Sequence, residues 1–453
     1  FDDVKIPLTC DMNPAQQGIY FQWLLEPESP YYNYQILLEC AGSNTDRIRR
    51  ALGQALRANP QLMAKFGVDS TGRFTQTFPI SAIDMDEISI HEVASAQEAR
   101  KICWMKAAVP FNLEEGPAIA VDEIRINGYS TWFVLTMNEI LIDGWGAMKF
   151  MEQLISLFEC RNMDDQEIEV KTAMTSALEY FQHLSKPEEI SAEAREFWSK
   201  SLDEVKSCFP LRDTLNSSCD PYAASVIEVS LDDEATAEIR STAHALSTSP
   251  FAVFVAAYSL ALAAVSDQHD FVVGAPVAGR NDEYEIGVPT LMLNMIAIRT
   301  RIDVEKKISD TVRSMISNVT EAVSFGDSVF SKVVSEFADH TNEDPLFSTM
   351  VNMLTYPSLE FWDGDRSLHL TELNTGFTKY DASLYIQRHG EDYTLQLAYK
   401  VAYVTPERAN KVLALTAWFL TSDWLSGKTT VANAIKTALN DCDTSQITML
   451  KSY

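Results

Sequence analysis

The sequence predicts an α+β chain built from two similar lobes, and three observations carry that expectation. Segments with the two-residue alternation of half-buried strands and segments with the 3.6-residue spacing of amphipathic helices follow one another through the 453 residues. A polar, acidic stretch at 160–190, with Asp164, Asp165, Glu167 and Glu169, interrupts the pattern, and the chain then starts again in the same style. The lobe boundary is therefore placed here, giving 1–175 and 176–453. Finally, Asn127-Gly128 between two apolar runs is a strong hairpin signal, and that hairpin leads into a cluster of polar residues at 138–144.

Taken in order, 13–25 has helical spacing and ends at the turn-rich Glu26-Pro-Glu-Ser-Pro30. An aromatic strand over 31–40 follows, then a helix over 46–58 with Ile48, Leu52 and Leu56 on one face, stopped by Asn59-Pro60. Two strands, 62–66 and 73–78, flank the turn Asp69-Ser-Thr-Gly72. A helix over 95–108 precedes the Gly116-Pro117 break and the hairpin of Ile119–Ile126 with 130–137. In the second half, strands are expected at 224–231, 271–274, 347–354, 380–387 and 393–399, and helices at 232–245, 250–265, 305–323 and 406–421.

Composition narrows the function. With 46% hydrophobic and 10% aromatic residues, the chain can fill well-packed cores. The formal charge of -28 repels polyanions, which argues against a nucleic-acid partner. Seven scattered cysteines show no CxxC or Cys/His spacing, so no metal site is expected and a reduced, cytoplasmic compartment fits. The apolar stretch at 251–265 is shorter than the roughly 20 residues a membrane span needs and reads as a buried core helix. The opening at Phe1, without Met or a signal peptide, suggests a segment of a larger polypeptide.

The polar cluster lies in 131–146, where an apolar run, Trp132 to Leu135, gives way to Asn138, Glu139 and Asp143-Gly144 before a helical pattern of Met148, Met151, Ile155 and Phe158. Ionisable groups at such a junction are costly to desolvate unless paired or used, which marks a candidate site. A helix cap or half of a structural ion pair explains Asp143 equally well.

Several motifs then resemble the condensation domains of nonribosomal peptide synthetases, within the chloramphenicol-acetyltransferase-like acyltransferases. Asn13-Pro-Ala-Gln-Gln-Gly-Ile-Tyr20 is similar to that family's N-terminal motif, and 56–66 to a worn form of its second. Asp270-Phe-Val-Val-Gly-Ala-Pro-Val-Ala-Gly-Arg280, with 287–299 beyond it, resembles a third. Asp344-Pro-Leu-Phe347 and Tyr380-Asp-Ala-Ser-Leu384 resemble two more. Where the family carries His-His-x-x-x-Asp-Gly, this chain reads Asn138-Glu139-Ile-Leu-Ile-Asp143-Gly144, and none of its seven histidines lies between His91 and His183.

The resemblance implies a V-shaped pseudo-dimer of two acetyltransferase-like lobes around a central tunnel. It implies an activity too: transfer of an acyl group from one carrier protein's 4'-phosphopantetheine to an amine on another, with no cofactor bound by the domain itself. Donor and acceptor peptidyl carrier proteins and a neighbouring adenylation domain are the implied partners. By position, Glu139 and Asn138 fall at the catalytic pair, Asp143, Gly144 and Arg280 at the structural part of the site, and Trp145, Asn294 and Ser383 along the tunnel. Three readings stay open: Glu139 replaces the second histidine as base or orienting group; the domain is an inactive scaffold that binds carriers; or it is a stand-alone acyltransferase to an alcohol or amine.

Overall fold

A computed structural model describes residues 8–450 apart from 42–44, 80–82, 128–129, 161, 183, 185–188, 207, 214, 281–282, 339–344, 355–358, 364–365 and 422–426. Gly128 and Asp344, each part of a motif above, lie outside the described residues.

Among the described residues, three sheets organise the chain. The first runs Leu359–Asp363, Arg366–Leu373, Asn33–Ala41, Ser130–Asn138, Ile119–Ile126, Ser89–Val93. The second has seven strands, in the order Asn294–Arg301, Asp270–Val277, Thr349–Leu354, Ala382–His389, Asp392–Lys400, Ala224–Ser230, Thr448–Leu450. A small third sheet orders Leu8–Asp11, Phe74–Phe78 and Lys65–Val68. The expected hairpin is present, with Ile119 opposite Met137 and Ile126 opposite Ser130, and Asn127 takes the left-handed conformation (φ 45°) at its tip.

Helices cover the sheets because their apolar faces have nowhere else to go. Thr45–Ala58 buries Ile48, Leu52 and Leu56, as its spacing predicts, in one core with Phe133, Leu135 and Phe150. Pro250–Ser266 is buried along nearly its whole length in the second core, where its Phe254 meets Tyr393 edge-on. Among the described residues no single helix is long and apolar enough to cross a membrane.

The structure adds two elements that the sequence pattern did not reveal and shifts a third. The acidic stretch is largely the helix Met163–Gln182, because Val170, Met174, Ala177, Leu178 and Phe181 form a buried stripe beneath its charges. That helix runs through position 175 and packs on the first core. Pro60–Met63 is a 3-10 turn, so the strand expected at 62–66 begins only at Lys65. Most consequential for the site, the strand Arg366–Leu373 from the second half pairs antiparallel with Asn33–Ala41 and extends the first sheet, with Glu372 opposite Ile36.

Candidate functional site

The strand Ser130–Asn138 delivers its end to a tight turn. Asn138 is buried, and its Oδ1 accepts from the Ile140 amide at 3.1 Å while its carbonyl accepts from Leu141 at 3.0 Å. Ile140, Leu141 and Ile142 are all buried, so the turn is pinned from below by apolar packing. The Glu139 amide donates to the Tyr32 carbonyl at 2.7 Å, which fixes where the Glu139 side chain leaves the backbone.

Asp143 closes the loop. It caps the helix Gly144–Glu159, accepting from the Gly146 amide at 2.8 Å, and Gly144 is that helix's first residue. Arg280 grips the same carboxylate with both terminal nitrogens, at 2.8 and 2.9 Å, and the Met292 and Leu293 amides donate to it at 2.8 and 3.0 Å. Five hydrogen bonds thus saturate one carboxylate, and both side chains of the pair are almost wholly buried, at 2% and 3% exposure. The bland reading of Asp143, a helix cap and half of an ion pair, describes its geometry in full.

The segment around 286–294 is clasped by the first half along its length. Trp145 Nε1 donates to the Ile286 carbonyl at 3.0 Å, Gln61 Nε2 to Pro289 at 3.0 Å, and Asn13 Nδ2 to Leu291 at 2.6 Å. Val288 and Met292 sink into the first core. This strap brings Arg280 and Asp143, 137 residues apart in sequence, to one point.

Glu139 has different surroundings. It is half-buried, and burial raises its carboxyl to about 7; the Lys379 ammonium opposes that rise and the Glu372 carboxylate adds to it. The phenols of Tyr32, Tyr380 and Tyr385 are pushed upward by burial, with Glu139 among the charges acting on each. Lys379 Nζ lies over the Tyr32 and Tyr380 rings, 5.2 and 5.4 Å from their centroids. A carboxylate poised near neutrality among three phenols and one ammonium can take or give a proton at physiological pH.

The remaining candidates separate. Trp145 is half-buried, with its indole used by the strap. Asn294 donates to the Gly326 and Ser328 carbonyls, both at 2.7 Å, and accepts from the Phe330 amide at 3.2 Å, so its amide fastens that loop. The Ser383 hydroxyl is buried without a hydrogen bond of good geometry, two residues before Tyr385 on one strand face. Sequence reasoning missed Lys379 and Glu372, which carry no motif of their own; Lys379 directly precedes the Tyr380-Asp381 motif, which was the available signal. It also missed Arg212, whose guanidinium pairs with buried Asp381 at 2.6 and 3.1 Å.

A family model for the condensation domain matches residues 8–413. One protein of the linear gramicidin synthase of Brevibacillus parabrevis is 23% identical over 388 residues, which cover 82% of this chain and 7% of that protein. One protein of the plipastatin synthase of Bacillus subtilis (strain 168) is 25% identical over 393 residues, covering 84% of this chain and 15% of its own length. The chain thus spans only a small part of these relatives. Among solved structures, a four-domain nonribosomal peptide synthetase bound to AMP and glycine superposes with a TM-score of 0.78 at 14% identity, over 95% of this chain and 34% of that one. The first condensation domain of the calcium-dependent antibiotic synthetase, in complex with a substrate analogue, gives 0.70 at 16% identity, over 94% and 99%. These likenesses establish the fold as the two-lobed acetyltransferase-like architecture expected from the sequence.

Proposed function

The chain belongs to the condensation-domain family, and from that premise we propose that it joins an acyl or peptidyl thioester on one carrier protein to an amine on the next, with Glu139 as the proton acceptor. One observation carries this reading: Glu139 stands at the end of the site strand with its carboxyl raised to about 7, on a loop locked by the Asp143–Arg280 pair. Both substrates arrive on 4'-phosphopantetheine arms, and the domain itself binds no cofactor. Its partners are the donor and acceptor carrier proteins and an adenylation domain, all in the cytoplasm.

The step needs little from the protein. The amine nitrogen attacks the thioester carbonyl carbon, the C–N bond forms and the C–S bond breaks. The nitrogen's surplus proton passes to the Glu139 carboxylate and from there to the departing sulfur. A thioester is already activated, so positioning and one proton transfer suffice. Asn138 acts through the turn it closes, and Asp143 and Arg280 through the loop they fix; none of the three needs to touch substrate.

Glu139→Gln keeps the shape and removes the base, so carrier-to-carrier transfer is expected to fall by about 100-fold, at the low end for a general base. Unchanged product formation would sink the reading. A carrier-binding scaffold without chemistry is the second reading, favoured by the loss of both imidazoles from the motif. Transfer by the unsubstituted chain no faster than in a reaction lacking it would select that alternative.

A further inference from the structure

Glu139 does not work alone. The first half supplies the carboxylate at a strand end, and the second half supplies, from the segment just before the strand Ala382–His389, the cation nearest in influence to it. Lys379 is an exposed residue, yet its ammonium sits over Tyr32, whose carbonyl holds the Glu139 amide, and over Tyr380. We propose that Lys379 is a positioning residue for Glu139: its ammonium, seated over the Tyr32 and Tyr380 rings, supplies the opposite charge that keeps the Glu139 carboxylate ionised until the acceptor amine arrives. This rests on the reading of Glu139 as proton acceptor and deepens it, because a carboxylate and the cation that keeps it charged then come from opposite halves.

The electrostatic surroundings can be stated element by element. Tyr32 faces Glu139 from the start of the strand Asn33–Ala41, with Glu26 acting on it in turn. Glu372 faces it from the crossing strand Arg366–Leu373 and raises its carboxyl, against Lys379. Tyr380, just before the strand Ala382–His389, and Tyr385, on it, have their phenols pushed upward by burial and stay neutral. Burial alone drives Glu139 toward the neutral acid, which cannot accept a proton, and Lys379 is the group that opposes this. Aromatic rings hold the ammonium without neutralising it, so its charge remains available to the carboxylate.

The test is a direct titration, independent of which substrates the domain takes. The full chain is labelled with glutamate carrying 13C at the side-chain carboxyl, and the Glu139 resonance is identified by its loss in Glu139→Gln. In Lys379→Met the midpoint is expected to move up by roughly one pH unit, in Lys379→Arg to stay, and in Glu372→Gln to move down. The acidic limb of the transfer rate should move with it, so Lys379→Met loses activity near neutrality and regains it at higher pH. A midpoint unmoved by Lys379→Met, while Glu139→Gln still abolishes transfer, overturns the inference and leaves the functional reading standing. Full transfer by Glu139→Gln overturns the functional reading and the positioning role with it.

Discussion

Two carboxylates four residues apart, Glu139 and Asp143, have opposite fates because their surroundings differ. Asp143 receives five hydrogen bonds, two of them from a guanidinium, while Glu139 is desolvated with another carboxylate nearby. Removing Asp143 leaves Arg280 buried without its anion. Asp143→Ala is therefore expected to cost about 3–5 kcal/mol in denaturant unfolding, where a cost within error would show the pair to be dispensable. Glu139 carries a different signature. Its folded-state pKa lies above the ordinary carboxylate value, so its contribution to stability is most favourable below about pH 4.5 and is lost as pH rises through about 7. Glu139→Gln should accordingly stabilise the chain at pH 8 relative to pH 4.5, by on the order of 3 kcal/mol, read as a pH-dependent difference in unfolding free energy from the unsubstituted chain. The identity of these residues was legible in the sequence. Their environments were not, because Lys379 and Glu372 reach Glu139 only through the tertiary fold.

At the scale of elements, the strap decides whether the loop keeps its geometry. Gly279 is left-handed (φ 59°), and a Cβ there would stand 2.1 Å from the Met292 carbonyl oxygen, a backbone atom that cannot step aside alone. The adjacent Met292 and Leu293 amides both bind Asp143, so displacing this stretch disturbs the site as well as the fold. Gly279→Ala should lower stability by about 1–3 kcal/mol and reduce transfer together, as read by thermal unfolding and turnover on one preparation. Loss of one without the other would show that the strap does not couple them. Helix and strand periodicity made most elements readable, including Thr45–Ala58 and the hairpin. The acidic helix Met163–Gln182 was missed because its charges masked a stripe of Val170, Met174, Ala177 and Phe181.

At the scale of the whole molecule, the described residues join the two halves at several places, among them the Asp143–Arg280 pair, the strap, and the strand Arg366–Leu373 that extends the first sheet. The crossing strand was not foreseen: no strand is read at 366–373 from local pattern, and such a pattern does not name the sheet that receives a strand. It brings Glu372 to the first half, while the segment after it brings Lys379, so the electrostatics of Glu139 are a property of the assembled pair of lobes. The central claim is that this assembly has kept acyl transfer after losing both histidines. Its most direct test is the rate of amide formation between loaded donor and acceptor carriers, by the unsubstituted chain and by Glu139→Gln, from about pH 5 to about pH 9. The account predicts a rate that rises through about pH 7 and falls roughly 100-fold, with that rise abolished, in the variant; equal rates with the same pH profile would contradict it.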